Sequence, residues 1–275
     1  MIPITWGYLS AEVLSTASDA PSRGLSSRSS LKIERCNYET ALLVCANFNR
    51  LRSTHSLPLP AERSFNLSDL AKRDKNFDVL SKFNFDNSML PIHENFLKSR
   101  YFDPIHIMEK YKIKFCGPLG HYKLRIIVPV FDRGQCISFV ARDATNRAKS
   151  PYLNCPNEQG LIDIRNTVYN LDNARGPDVI VVEGVTDVWR IGDNCVATLG
   201  IKYTTMQVLT LSQYRRCFIL FDSEDQAQEQ AEKLSYDLAT IVQEVTRLQL
   251  PKGDPADLKN SEVKALRLQV FGKIY

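Results

Sequence analysis

The sequence has no arrangement of cysteine that builds a zinc ribbon. Its seven cysteines, at 36, 45, 116, 136, 155, 195 and 217, include no C-x-x-C pair, and the nearest two stand nine residues apart. An odd number of scattered thiols fits reduced, mostly buried cysteines of a cytoplasmic protein better than a disulfide framework. No two of them share a metal-binding knuckle, so no zinc is expected. The four histidines, at 55, 93, 106 and 121, have no partner at metal-ligand spacing. No apolar run approaches the ~20 residues that span a bilayer. The first residues, Met1-Ile-Pro-Ile-Thr-Trp, lack the basic stretch and apolar core of a secretory leader, and none is expected. There is no G-x-x-x-x-G-K-S/T phosphate loop and no internal repeat.

What is present is an ordinary globular composition, 44% hydrophobic and 24% charged, in 275 residues, room for one large domain or two ordinary ones. The net charge of +4 is unevenly placed: residues 1–150 hold 22 basic against 14 acidic residues, and residues 151–275 hold 13 against 17. A basic first half joined to an acidic second half suits a protein that holds a polyanion and acts on it, although solvated surfaces also differ by a few charges.

The chain divides into three parts: 1–90, 91–170 and 171–275. Residues 15–30 are rich in Ser with Pro and Gly and read as a linker. Residues 36–56 carry apolar positions at helical spacing, ended by Leu57-Pro58-Leu59-Pro60. No chemistry can be assigned to residues 1–90. Two short helices follow, over 94–100 and 104–111. Strands over 125–131 and 136–141 are joined by a four-residue hairpin loop, Asp132-Arg-Gly134-Gln. A basic, loop-like tract comes next, with Arg142, Arg147, Lys149, Tyr152 and Asn154. From 171 onward strands (179–183, 195–199, 217–221, 244–250) alternate with helices (186–192, 204–213, 225–242 and one after 257). That alternation predicts a parallel sheet flanked by helices, of the α/β class. Thr204 and Gln207 form a capping box.

Two of these strands organise the rest. Asp178-Val-Ile-Val-Val-Glu183-Gly184-Val-Thr-Asp187 and Cys217-Phe-Ile-Leu-Phe221-Asp222-Ser-Glu224-Asp225 are each an apolar run that ends abruptly in acid. An unbroken run of this kind suits a strand buried on both faces, and ligands gather outside the carboxyl ends of such strands. Glu183 and Asp222 belong at that rim, with Asp187 and Glu224 close behind. Carboxylates crowded at one edge repel unless a cation lies among them, and Mg²⁺ prefers oxygen ligands. The residues point to metal-dependent phosphate chemistry.

This pattern resembles the TOPRIM domain, whose marks are a Glu-Gly after one strand, here Glu183-Gly184, and a D-x-D after a later one, here Asp222-x-Glu224. Three features resemble the bacterial- and phage-type (DnaG-like) primases in particular: Glu183-Gly-Val-Thr-Asp187, Ala197-Thr-Leu-Gly200, and the turn Leu250-Pro-Lys-Gly-Asp254-Pro. Arg125 through Arg142 and Tyr152-Leu-Asn154 resemble the smaller mixed α+β subdomain that precedes the Rossmann-like TOPRIM sheet in those enzymes. The resemblance covers about residues 91–270. It departs from the family at Glu224, where Asp is usual, at Ala227 for Gly, and at Pro151, where a Lys is usual. The role of that Lys would pass to Lys149 or Arg147. The family's N-terminal zinc ribbon is also missing.

The resemblance implies a DNA primase, a DNA-directed RNA polymerase that joins nucleotides with Mg²⁺ or Mn²⁺ on single-stranded DNA. Its partners would be nucleoside triphosphates and a separate replicative helicase, in a cytoplasmic bacterial, plasmid or phage replication context without a membrane. It assigns Glu183, Asp187 and Asp222 to catalysis and Glu183, Asp222, Glu224 and Asp254 to metal. Arg125, Arg142, Arg147, Lys149, Tyr152 and Asn154 fall to nucleic acid and nucleotide. Other readings stay open: Asp187 as an ion-pair partner of Arg190, Asp254 as the start of a turn, and Arg125 and Arg142 as solvated strand ends. As whole functions, a TOPRIM nuclease and an inactive DNA-binding or assembly subunit remain alternatives.

Overall fold

The computed structural model describes residues 5–8 and 78–272. The linker and the helix over 36–56 expected from the sequence lie outside the described residues, and of the 1–90 region only residues 5–8 and 78–90 are described.

Two sheets share one core. The smaller is antiparallel, in the order β2 (Lys114–Phe115), β3 (Arg125–Asp132), β4 (Gln135–Asp143), β5 (Tyr152–Asn154). The β3–β4 hairpin turns more tightly than expected from the sequence. Asp132 pairs with Gln135, which leaves only Arg133 and Gly134 in the turn, both with positive φ (54° and 78°). A two-residue turn of this kind matches the strands' right-handed twist and needs φ > 0 at both positions. Asp172 braces the tip from outside, its carboxylate accepting the N–H groups of Arg133 (2.8 Å) and Gly134 (2.7 Å).

The larger sheet runs in the order β1 (Thr5–Tyr8), β9 (Glu244–Gln249), β8 (Arg216–Ile219), β6 (Asp178–Val182), β7 (Cys195–Ala197). All its neighbours are parallel except β1, which pairs antiparallel with β9. β1 has no counterpart in the expectations above, and its pairing closes what would otherwise be an open sheet edge beside β9. Alternation along β6 shows why that run is apolar throughout. Val179 and Val181 face one cluster with Leu211, Phe221, Leu234 and Leu238, while Ile180 and Val182 face another with Val188, Leu220 and Leu266. The first cluster packs under α4 (Thr205–Leu211) and α5 (Asp225–Ala239). The second lies toward α3 (Val185–Ile191) and α6 (Asn260–Phe271). Thr204 and Gln207 do form a capping box, each side chain bonded to the other's backbone N–H.

That second cluster is continuous with the inner face of the small sheet: Ile126, Val128 and Val140 belong to it, together with Phe96 and Leu97 of α1 (Pro91–Ser99) and Ile107 and Tyr111 of α2 (Pro104–Tyr111). The carboxyl ends of β6 and β8 are thereby fixed relative to β4 and β5, and the site lies between them.

Candidate active site

Each acid is placed by backbone geometry. Glu183 directly follows β6, and its Oε1 accepts the backbone N–H of Asp222 at 2.9 Å, across from the end of β8. Gly184 follows, and a Cβ there would crowd Asp187 Oδ2 at 3.2 Å. That oxygen accepts the Gly184 N–H at 2.8 Å and caps α3. Asp187 does not pair with Arg190. The backbone carbonyl of Glu183 is held by the N–H of Gly200 (3.0 Å), at the end of a strained segment in which Leu199 has φ 62° and Gly200 φ 142°. Asp254 reaches the same place because Ser223 N–H donates to the Gly253 carbonyl (3.0 Å), binding the loop after β8 to the turn after β9.

A cleft of about 280 Å³ lies between the sheets. Glu183, Asp187, Asp222 and Asp254 line one side, and Arg142, Tyr152 and Asn154 of the small sheet line the other. A larger hollow, about 800 Å³, lies at the hairpin end of the small sheet, and none of these acids borders it.

The electrostatics are those of acids held together at a cost. Burial, opposed by the Asp222 N–H and reinforced by the charges of Asp222, Glu224 and Asp254, pushes the Glu183 carboxyl up to about 7. Burial and the charges of Asp254, Glu224 and Asp257 push Asp222 up to about 6. Asp187, 4% exposed, is raised well above the usual carboxylate range by burial and then by Asp222. Burial and Asp257 raise Asp254, and Arg100 opposes them. Oδ1 of Asp222 is buried with no hydrogen-bond partner, which is costly for an acceptor unless something outside the chain satisfies it. Among the described residues, no three ligand-type side chains converge closely enough to hold an ion as they stand. Glu224 is exposed at the N-terminus of α5 and is absent from the cleft lining.

The six residues expected to meet nucleic acid separate into groups. Arg142 is sandwiched between Tyr152 (4.9 Å from the ring centre) and Phe96 (5.3 Å). Arg147 and Lys149 are exposed on the loop between β4 and β5 and do not line the cleft. Arg125 is neither in the cleft nor a solvated strand end. It is 6% exposed, and its guanidinium donates to the carbonyls of Ala141 (3.0 Å), Pro151 (3.0 Å) and Ser150 (2.9 Å). Register explains the difference. Arg125 faces Asp143 and Ile126 faces Arg142 across the pair, and neighbouring residues of a strand project to opposite sides. Asp143 completes the clamp: burial alone would raise its pKa, but bonds from Thr145, Ala148 and Arg147 prevail and hold it low.

Arg100 and Thr186 also line the cleft and have no counterpart among the residues singled out from the sequence. Arg100 belongs to no motif, because it enters through the loop between α1 and α2. Arg190 ties that loop to the acidic turn: its Nε donates to the Ala256 carbonyl (2.9 Å), its Nη2 donates to the Arg100 carbonyl, and its guanidinium stacks over Phe102 (4.5 Å).

No protein-family profile matches the sequence, and no curated protein matches it. Solved structures do match. The crystal structure of the zinc binding and RNA polymerase domains of the Aquifex aeolicus primase aligns with 84% of this chain at a TM-score of 0.60 and 20% identity. This chain spans 66% of that one, just under two thirds of its length. The RNA polymerase domain of Mycobacterium tuberculosis primase DnaG aligns with 85% of this chain and 82% of its own, at a TM-score of 0.48 and 21% identity. The chain has the fold of a DnaG-like primase core, a mixed α/β sheet preceded by a smaller antiparallel one.

Proposed function

We propose that this chain is a DNA primase core, a nucleotidyltransferase of TOPRIM type that joins nucleotides into short primers on single-stranded DNA. One observation carries this reading above the others: four carboxylates, each raised in pKa by burial and then by neighbouring acids, share a single cleft with a guanidinium held between two aromatic rings. Acids arranged against their own repulsion suit a cationic or proton-handling task, and an ordered Arg fork suits phosphate.

The orphaned Asp222 oxygen and the all-oxygen donor set fit Mg²⁺ or Mn²⁺. Asp222, Asp254, Glu183 and Glu224 would hold the metal, and the exposed Glu224 would have to turn inward to join the others. Bound there, the metal would neutralise charge developing on the transferred phosphate. The chain's own groups do the rest. Glu183, at the end of β6, accepts a proton from a primer 3′-hydroxyl. Asp187 holds Gly184 and thereby the start of α3, and Arg142 and Arg100 meet triphosphate or template phosphate. Exposed Arg147 and Lys149 extend the basic path. The helicase would be a separate chain and the setting cytoplasmic; no helix among the described residues is long and apolar enough to cross a membrane.

The test is primer synthesis on single-stranded DNA with Mg²⁺ or Mn²⁺ and labelled nucleotides, comparing wild type with Asp222→Ala. Short products from wild type alone are expected. Shortened template without new product, lost in the variant, would replace this reading with a nuclease. DNA binding without either reaction would leave a binding subunit.

A further inference from the structure

The end of α1 is a complete Schellman motif. The N–H of Tyr101 donates to the Lys98 carbonyl (2.9 Å), the N–H of Phe102 donates to the Leu97 carbonyl (3.0 Å), and Phe102 and Leu97 are buried together in the shared core. In this motif the residue after the cap must be left-handed, and Tyr101 has φ 58°. Glycine usually occupies that place, because a Cβ is disfavoured there by about fivefold or more. A large aromatic chosen against that preference ordinarily recovers the difference by packing. Tyr101 does not: it is 89% exposed, the most exposed large hydrophobic residue described, and its ring meets no other ring or cation among the described residues. Leu199, also left-handed, is partly buried and lines the cleft.

The neighbours of Tyr101 say what the ring is for. Arg100, the residue before it, lines the cleft and acts on Asp254 electrostatically. Its carbonyl is fixed by Arg190, and Phe102 is fixed by the core. The ring is thus carried on a rigid corner, one residue from a cleft cation. Exposed aromatics beside guanidinium groups are how proteins hold unpaired bases, stacking the base on the ring while the cation meets the backbone phosphate.

We propose that Tyr101 is a stacking platform for an unpaired base of single-stranded nucleic acid entering the cleft, with Arg100 on an adjacent phosphate. The inference rests on the primase reading for its ligand class, but it is tested by binding rather than by synthesis.

The experiment measures fluorescence anisotropy of a fluorescein-labelled oligothymidylate on the full chain and its variants Tyr101→Ala, Tyr101→Gly and Tyr101→Phe, with thermal melts of each. Tyr101→Ala and Tyr101→Gly are expected to weaken binding by about fivefold or more, and Tyr101→Phe is expected to retain it. An oligonucleotide of abasic residues should bind wild type and Tyr101→Ala alike. Tyr101→Gly should melt at or above the wild-type temperature, because the left-handed position is relieved. Unchanged binding by Tyr101→Ala would overturn the proposal, as would loss in Tyr101→Phe or a Tyr101→Gly melt several degrees lower, which would make the ring structural. Weakened binding of a labelled nucleoside triphosphate with the oligonucleotide unaffected would also overturn it, moving the platform to the incoming nucleotide. A chain that makes no primers but loses oligonucleotide binding in Tyr101→Ala would fail the primase reading and keep this one.

Discussion

The carboxylate of Glu183 accepts the backbone N–H of Asp222 at 2.9 Å, so the acid at the end of β6 fixes the position of the acid beyond β8. Two groups that repel as anions are thus joined through a neutral contact, and each has its pKa raised. Glu183→Gln keeps a carbonyl oxygen for that N–H and removes the charge. It is expected to fold, to melt at pH 8 at or above the wild-type temperature, and to lose primer synthesis by about 100-fold or more, as removal of a positioned acid–base group does. Unaltered synthesis would remove Glu183 from the chemistry.

Stability should fall with pH across the range where these acids ionise. A carboxyl whose pKa is higher folded than unfolded binds more protons in the folded state, so its ionisation costs stability as pH rises. For Glu183 the window runs from the ordinary 4.5 to about 7, and for Asp222 from 3.8 to about 6. Without divalent cation the chain should melt higher at pH 5 than at pH 8. Millimolar Mg²⁺ or Mn²⁺ should raise the pH 8 melt and barely move the pH 5 one. Buried His93, pushed down to about 4, opposes this below its ordinary 6.5, so a melt that rises from pH 6.5 to 8 without metal would contradict the crowding of these acids.

Arg125 and Arg142 should respond in opposite ways. Arg125→Met leaves three carbonyls and Asp143 without a buried cation and is expected to destabilise by about 3 kcal/mol. Arg142→Met should cost less in stability and weaken nucleotide or oligonucleotide binding. Chemical denaturation and anisotropy on the same two proteins decide this; equal stability would return Arg125 to the surface.

Arg190 is a positioning residue, because it holds Arg100 and the acidic turn through their carbonyls. Arg190→Lys keeps the charge but lacks a planar fork that reaches two carbonyls at once. Synthesis by that variant is expected to fall about tenfold through kcat, with nucleotide KM nearly unchanged. A loss confined to KM would make Arg190 a substrate contact.

Local signals in the sequence were sufficient for much of this architecture. The apolar run ending in Glu183, the Thr204–Gln207 box and the turn at Gly134 each depend on residues a few positions apart, so period, cap and turn chemistry expose them. The acids were legible for the same reason, since each follows a strand. Pairing and register were not. β1 lies in a stretch without strong strand signals and exists through its ladder with β9, more than 230 residues away. Arg125 and Arg142 flank the same hairpin, and only the register Arg125–Asp143 decides which is buried and which meets the cleft. Arg100 and Tyr101 acquire their places from a left-handed corner braced by Arg190 and the shared core. The sequence by itself determined the longer strands and helices beyond residue 90 and which acids end the strands, because those depend on neighbours along the chain, whereas the short strands β1, β2 and β5 exist through their pairing. The tertiary structure alone decided which side chains share the cleft, because that depends on contacts between segments that the order of residues does not bring together.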